Sequence, residues 1–314
     1  MTNCLKAIAL LSFLISIINF NIFGQKQEPF NQKIYVQWLR DSKEELNAKV
    51  AVSSLTEAEN LSLCTIIKDN MNDSIFDVRW RSISLGSIIG SSSKSEQVRR
   101  EVISIMLHMM YDLDSRIIYF ASQNLQELNS PKYSASQKDT ILYLVTQINN
   151  PSILVTLYRI CGEQSIKESI PLLEEVGFSS NIPFYQRWIA LASLTRLGHT
   201  EAEETMHAYL NRMGISLDAV KMLYPHVLFS RSTKNVGLLI DFIENNDSGC
   251  ESSNPNVTTS IPCAYLILTE VAPEIAGIKW EGRDGLQALE PEEALKKARQ
   301  FFKSIDNNWS FISE

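Results

Sequence analysis

The stretch Gln186-Arg187-Trp188-Ile189-Ala190-Leu191-Ala192-Ser193-Leu194-Thr195-Arg196-Leu197-Gly198 decides how the chain is read, because a near copy of it stands earlier. That copy is Val78-Arg79-Trp80-Arg81-Ser82-Ile83-Ser84-Leu85-Gly86-Ser87-Ile88-Ile89-Gly90. Both carry Arg-Trp, an aliphatic residue four positions after the Arg, and an aliphatic-Gly end. They lie 108 residues apart (Gly90 to Gly198), three times 36, and Cys161-Gly162 falls on the same ladder of 90, 126, 162 and 198. Gln126 occupies the one rung without glycine. A fixed period of this size is the mark of stacked supersecondary units. Two or three residues after each glycine comes Ser/Thr-x-x-Glu: Ser93 to Glu96, Ser165 to Glu168 and Thr200 to Glu203. These read as capping boxes opening a second helix after a left-handed glycine has closed the first. The expected unit is helix, short turn, helix.

Composition bounds the rest. The 314 residues are 45% hydrophobic and 21% charged, ordinary globular material with enough apolar content for a large core. A formal charge of −7 argues against nucleic acid as a partner, since phosphate binding needs a basic face. Residues 1–24 differ from the remainder: Lys6 precedes an apolar run from Ala7 to Ile18, and small Gly24 ends the segment. This is the form of a secretory signal peptide, its core shorter than the roughly 20 residues of a spanning helix. The chain is therefore expected to be exported, to the periplasm or outside the cell, touching a membrane only through this segment if it stays uncleaved. Cys64 and Cys161 sit in apolar helical patterns and read as small buried hydrophobes. Cys250 and Cys263 flank a polar loop; in an oxidising compartment they could pair, and otherwise they are two free thiols.

Taken in order, residues 25–74 read as a helical N-terminal cap, with Ser42-x-x-Glu45 and Thr56-x-x-Glu59 opening helices. Residues 75–246 hold the repeats, pairing 76–89 with 98–111, 116–128 with 137–148, 153–160 with 166–176, 184–197 with 202–212, and 217–229 with 236–243. Pro171 and Pro225 lie inside these patterns, so their helices should start a turn late or kink. Residues 247–260 are a polar loop, and 261–314 a C-terminal helical cap whose last helix begins at Pro291-Glu292-Glu293. Arg near the start of the first helix, small residues in its middle (Ala190, Ala192, Ser193), Leu-Gly at its end, and Pro171-Leu172-Leu173 in a second helix together resemble the HEAT repeat. The resemblance implies an all-α fold, a right-handed α-solenoid of helix pairs with atypical terminal caps, and a curved scaffold that binds a protein or peptide. A minority of such folds are enzymes, so a hydrolase or a carbohydrate-binding protein using the groove is the alternative.

Few residues suggest chemistry, and no catalytic, cofactor-binding or metal-binding set is assigned. His199, Glu203 and His207 have the spacing of a metal-binding helix face, but Thr200 as N-cap would leave His199 outside the helix. His108 and His226 lie in apolar runs and read as core histidines; Met106, Met109 and Met110 read as gap-filling core. Gly282-x-x-Gly285 lacks the preceding strand of a phosphate-cradling loop. Asp73-Ser74-Ile75 and Asp139-Thr140-Ile141 resemble the short acceptor of an O-glycosylation system of some exported bacterial proteins. Arg79, Trp80, Arg187 and Trp188 are the candidate partner-binding residues, since Trp and Arg dominate binding hot spots. Their commoner role is structural, with Trp packed between repeats and Arg paired to a nearby acid.

Overall fold

Apolar residues at three- and four-residue spacing give the chain fifteen α-helices among the described residues, and no strand beyond two isolated bridge pairs, Gly249 with Pro262 and Ile275 with Phe311. The computed structural model describes residues 30–41, 54–128, 132–246, 248–250, 261–282, 285–305 and 308–312. The proposed signal peptide, Ser42-x-x-Glu45 and most of the polar loop lie outside these residues. The fold is all-α, and the chain divides into two units, residues 1–93 and 94–314.

In the first unit α1 (Gln32–Arg40), α2 (Glu57–Asn70) and α3 (Phe76–Ser92) each pack on the other two. Leu39, Leu63, Ile67 and Ile83 are fully buried among them. Thr56 opens α2 with the expected capping box: its hydroxyl accepts from the Glu59 N–H, and the Glu59 carboxylate accepts from the Thr56 N–H. Arg81 donates to the carbonyl of Leu39 at 2.6 Å, using one of the carbonyls that the end of α1 leaves without a helical partner.

The second unit holds α4 (Glu96–Met109), α5 (Ser115–Glu127), α6 (Ala135–Gln147), α7 (Pro151–Glu163), α8 (Ile170–Gly177), α9 (Phe184–Arg196), α10 (Thr200–Met213), α11 (Leu217–Met222), α12 (Tyr224–Phe229), α13 (Thr233–Asn245), α14 (Cys263–Val271) and α15 (Pro291–Ser304). Two layers emerge from the packing. Helices α5, α7, α9, α12 and α14 contact one another in succession, and on the other side α10 packs on α13 and α13 on α15. Each layer buries the apolar stripe of the other, with Trp188, Met206, Leu239 and Ile267 wholly inside. Pro171 starts α8 a turn late, after a 3-10 turn over Lys167–Ser169, and Pro225 breaks the expected single helix 217–229 into α11 and α12.

The glycine ladder needs correction. Gly198 does close a helix as expected: its φ is +88°, its N–H donates to Thr195 O, and the His199 N–H donates to Leu194 O, the paired bonds of a Schellman cap. Gly90 and Gly162, however, lie inside α3 and α7. At Gly162 a Cβ would stand 3.0 Å from the Cα of Ser193, so this glycine lets α7 and α9 approach closely. The left-handed cap of α7 is Ser165, φ +51°, and that of α12 is Arg231, φ +56°. Positions 165, 198 and 231 are therefore equivalent, 33 residues apart. First helices begin at Phe76, Ser115, Pro151, Phe184 and Leu217, at intervals of 39, 36, 33 and 33. The 36-residue period was an average over connections of unequal length.

The three predicted capping boxes also shift. Ser95, not Ser93, caps α4 by accepting from the Val98 N–H, and His199, not Thr200, caps α10 through its ring Nδ1. Ser165 is occupied as the left-handed cap. A full box does form at Ser134 and Gln137, opening α6.

Candidate binding cleft

The 33-residue register brings equivalent positions side by side. The last helical residues of α7, α9 and α12 are Glu163, Arg196 and Phe229, and all three line one cleft of about 630 Å³. That volume is within the range of small-ligand sites. Arg159, one turn before the end of α7, and Arg231, the left-handed cap of α12, face the same space, as do Glu270 from the end of α14 and Glu274 from the 3-10 turn after it. Pro225 and Leu228 supply apolar wall. Carbonyl groups left over at helix C-termini favour cations, which accounts for arginine collecting here.

Phe229 is the centre of the arrangement. The guanidinium carbons of Arg159 and Arg196 lie 4.7 Å and 4.9 Å from its ring centroid, and Arg196 donates to the Phe229 carbonyl at 2.7 Å. Cation–π contacts of this kind contribute roughly 0.5–2 kcal/mol each. Arg231 sits 3.7 Å from the Glu274 carboxylate and over the Phe311 ring at 4.7 Å. Its non-glycine left-handed backbone costs about 1 kcal/mol or more, as does that of Ser165 at the end of α7. Gln164 accepts from the backbone N–H of Tyr133 and so holds the segment that carries Lys132 at the rim.

Besides Lys132 at the rim, two charged groups deeper in the cleft have no hydrogen bond or ion pair among the described residues. Arg159 makes no hydrogen bond or ion pair among the described residues, only the contact with Phe229. Burial lowers its pKa, Glu163 opposes that shift and Arg196 adds to it. Glu270 likewise has neither hydrogen bond nor ion pair, and burial pushes its carboxyl above the usual range. An unpaired guanidinium over an aromatic wall is an arrangement that can receive a planar oxyanion.

The residues singled out from the sequence lie elsewhere. Trp188 is fully buried, donates its indole N–H to the Leu223 carbonyl at 3.2 Å, and packs on Phe184 and Tyr209. Arg187 stands 5.8 Å from the Phe184 ring. In the other unit Arg79 donates to the carbonyls of Asp73 and Ser74, closing the turn before its own helix, and Trp80 is half-buried against Phe76. Arg79 thus braces the turn before α3, Arg187 lies beside an aromatic ring, and Trp188 is buried in the core of its unit.

His199, Glu203 and His207 are each engaged in a different direction: His199 Nε2 with Glu174 at 2.7 Å, Glu203 with the Ser232 hydroxyl, and His207 Nδ1 with Asn235 at 3.1 Å. Since Nδ1 of His199 accepts from the Ala202 N–H, its Nε2 carries the proton that bonds Glu174, and neither nitrogen is left to act as a base. No group of three His, Cys, Asp or Glu side chains among the described residues could hold a metal ion. Cys250 and Cys263 are joined as a disulfide, and Cys64 and Cys161 are buried cysteines outside it, burial pushing the Cys161 pKa up to about 12. Ser74 lies in an exposed bend, whereas Thr140 is half-buried within α6 with its hydroxyl on the Ser136 carbonyl. Among the described residues no helix is long and apolar enough to cross a membrane.

Arg159, Arg196 and Arg231 escaped the sequence reading because its register was set on glycine. Set instead on the helix-closing residues 165, 198 and 231, it places Arg196 and its neighbours at the helix ends where cations gather. Compared with known protein families and with curated proteins, the sequence matches no family model and no curated protein.

Proposed function

We propose that this chain is an exported, non-catalytic helical-repeat scaffold of HEAT-like type that binds a protein or peptide. The observation that carries the reading is the cleft at the C-terminal ends of α7, α9 and α12, where successive helices contribute Glu163, Arg196 and Phe229 in register beside the unpaired Arg159. Stacked helix pairs create extended binding surfaces of this kind, and arginine with aromatic neighbours is the residue set that supplies most binding energy at interfaces. Export is supported by the form of residues 1–24 and by the Cys250–Cys263 bridge, which persists in oxidising compartments.

The test is affinity capture from the exported fraction of the producing cell, with wild-type chain and the Arg159→Gln variant as parallel baits. A polypeptide retained by the first and lost from the second is the expected result. Retention that ignores Arg159 means that the cleft is not the binding surface. The competing reading, a hydrolase or carbohydrate-binding protein, draws on Glu270, whose raised pKa in a cleft with Glu163 and Glu274 suits a proton donor. Turnover of a glycoside or peptide substrate that Glu270→Gln abolishes would establish it in place of the scaffold.

A further inference from the structure

We infer that Arg159 is the receptor for a carboxylate group of a peptide ligand, bound in the cleft with an apolar neighbour against Phe229, Leu228 and Pro225. The inference rests on the reading of the cleft as a polypeptide site and adds the chemistry that it selects.

Three features lead to a carboxylate rather than another anion. First, the guanidinium of Arg159 is available: it lines the cleft, is held 4.7 Å from the Phe229 ring centroid, and has no hydrogen bond or ion pair among the described residues. A charge taken partly out of water without a partner costs free energy, and a two-oxygen anion matching the planar fork recovers it. Second, Glu163, Glu270 and Glu274 line the same cleft. Set against Lys132, Arg159, Arg196 and Arg231 in the same lining, these three carboxylates offset most of the positive charge, so a dianion such as phosphate gains little over a monoanion and the planar fork of Arg159 decides the preference. Third, Arg196 is committed to the Phe229 carbonyl and Arg231 to Glu274. They shape the wall and raise the local positive potential, while Arg159 is the guanidinium left to make a two-pronged contact, which the ammonium of Lys132 at the rim cannot make.

The carboxylate could be an Asp or Glu side chain or a chain terminus, and four fluorescein-labelled pentapeptides separate these sources. One is Gly-Phe-Glu-Phe-Gly with both ends blocked; a second is Gly-Phe-Gln-Phe-Gly with a free C-terminus; a third is the same Gln peptide fully blocked; the fourth carries both carboxylates. Binding to the purified protein is followed by fluorescence anisotropy. At least one carboxylate peptide should bind tenfold or more tightly than the blocked Gln peptide, and the one that does identifies the source. Arg159→Gln should erase that preference while leaving the helical circular dichroism and melting temperature near wild type. Should Arg159→Gln melt early, Arg159→Lys carries the test, because it keeps the charge but loses the two-pronged geometry and should reduce the preference several-fold.

Equal binding of all four peptides, or a preference that survives both substitutions in folded protein, overturns the inference, as does displacement by inorganic phosphate at lower concentration than by acetate. A partner captured through Arg159 whose binding is indifferent to esterification of its carboxylates would sink this inference and leave the scaffold reading intact. Loss of all Arg159-dependent capture, with the carboxylate preference retained, would do the reverse.

Discussion

Three glycines in similar helical surroundings should respond to substitution in three different ways. Gly162→Ala places a methyl 3.0 Å from the Ser193 backbone and 3.2 Å from the Phe229 ring, so overpacking should destabilise by about 1–3 kcal/mol although alanine is the better helix former. Gly198 has open space around its Cβ position but a φ of +88°, so Gly198→Val should cost roughly 1–2 kcal/mol through the backbone alone. Gly237 lies within α13 with nothing near its Cβ position and an ordinary helical backbone, so Gly237→Ala should stabilise by about 0.5–1 kcal/mol. Urea unfolding of the three variants checks the order, and a neutral Gly162→Ala would mean that α7 and α9 do not meet so closely. His226 gives a pH dependence at the same scale. Burial, and to a lesser degree the charge of Arg159, lower its pKa to about 4, and its Nδ1 has no hydrogen-bond partner. A folded value below the unfolded 6.5 means that stability is at its full value above pH 6.5, falls as the unfolded state takes up the proton first, and has lost its contribution below pH 4. The loss amounts to about 3 kcal/mol at most. His226→Phe should flatten the part of the stability–pH curve between pH 6.5 and 4, and an unchanged slope would refute the assignment.

At the level of elements, the Cys250–Cys263 bridge ties the end of α13 to the start of α14. Backbone hydrogen bonds from Cys250 N–H to Ile261 O and from Cys263 N–H to Ser248 O clasp the same base. Closing a loop of about this length stabilises by roughly 3 kcal/mol in the chain-entropy account, so reductant should lower the unfolding midpoint accordingly. Mass measurement after alkylation without reductant should leave Cys250 and Cys263 unmodified, and their alkylation in folded protein would exclude the bridge. This pairing was open to reading in the sequence because both cysteines flank polar residues while Cys64 and Cys161 sit in apolar stripes. Helix identity was legible for the same reason: apolar spacing reports which face is buried. The interruptions at Pro171 and Pro225 were legible because proline acts locally. The caps were legible only in part: Thr56 opens α2 as read, but a Ser-x-x-Glu pattern does not say which of two serines, Ser93 or Ser95, takes the extended backbone of an N-cap. A periodic glycine, likewise, does not say whether it closes a helix, as Gly198 does, or admits a neighbouring one, as Gly162 does. The cleft was hidden for a further reason. It is assembled from one to three residues on each of four helices together with residues of the segments beside them, and linear spacing carries no mark of which helix ends are flush.

For the whole molecule, the division into residues 1–93 and 94–314 has a testable consequence. Every residue assigned to the cleft falls between Lys132 and Glu274, the disulfide lies within the same unit, and so do the largest buried side chains of that unit, Trp188, Tyr224 and Phe302. A unit with its own core is able in principle to fold alone. Residues 94–314 expressed separately should therefore give a helical circular dichroism spectrum and one cooperative urea transition. Trp188 makes a sensitive probe of that transition, because its indole is buried against Tyr209 and Phe184 and would become exposed only when α9 and α10 separate. The fragment should also bind the carboxylate peptide within about threefold of the full chain, a difference of under 1 kcal/mol. A fragment that folds but binds tenfold more weakly would show that residues 1–93 contribute directly to the ligand site. A fragment without a cooperative transition would show that the second unit depends on the first for its stability, and that the core around Trp188 is insufficient to offset the entropy of ordering some two hundred residues.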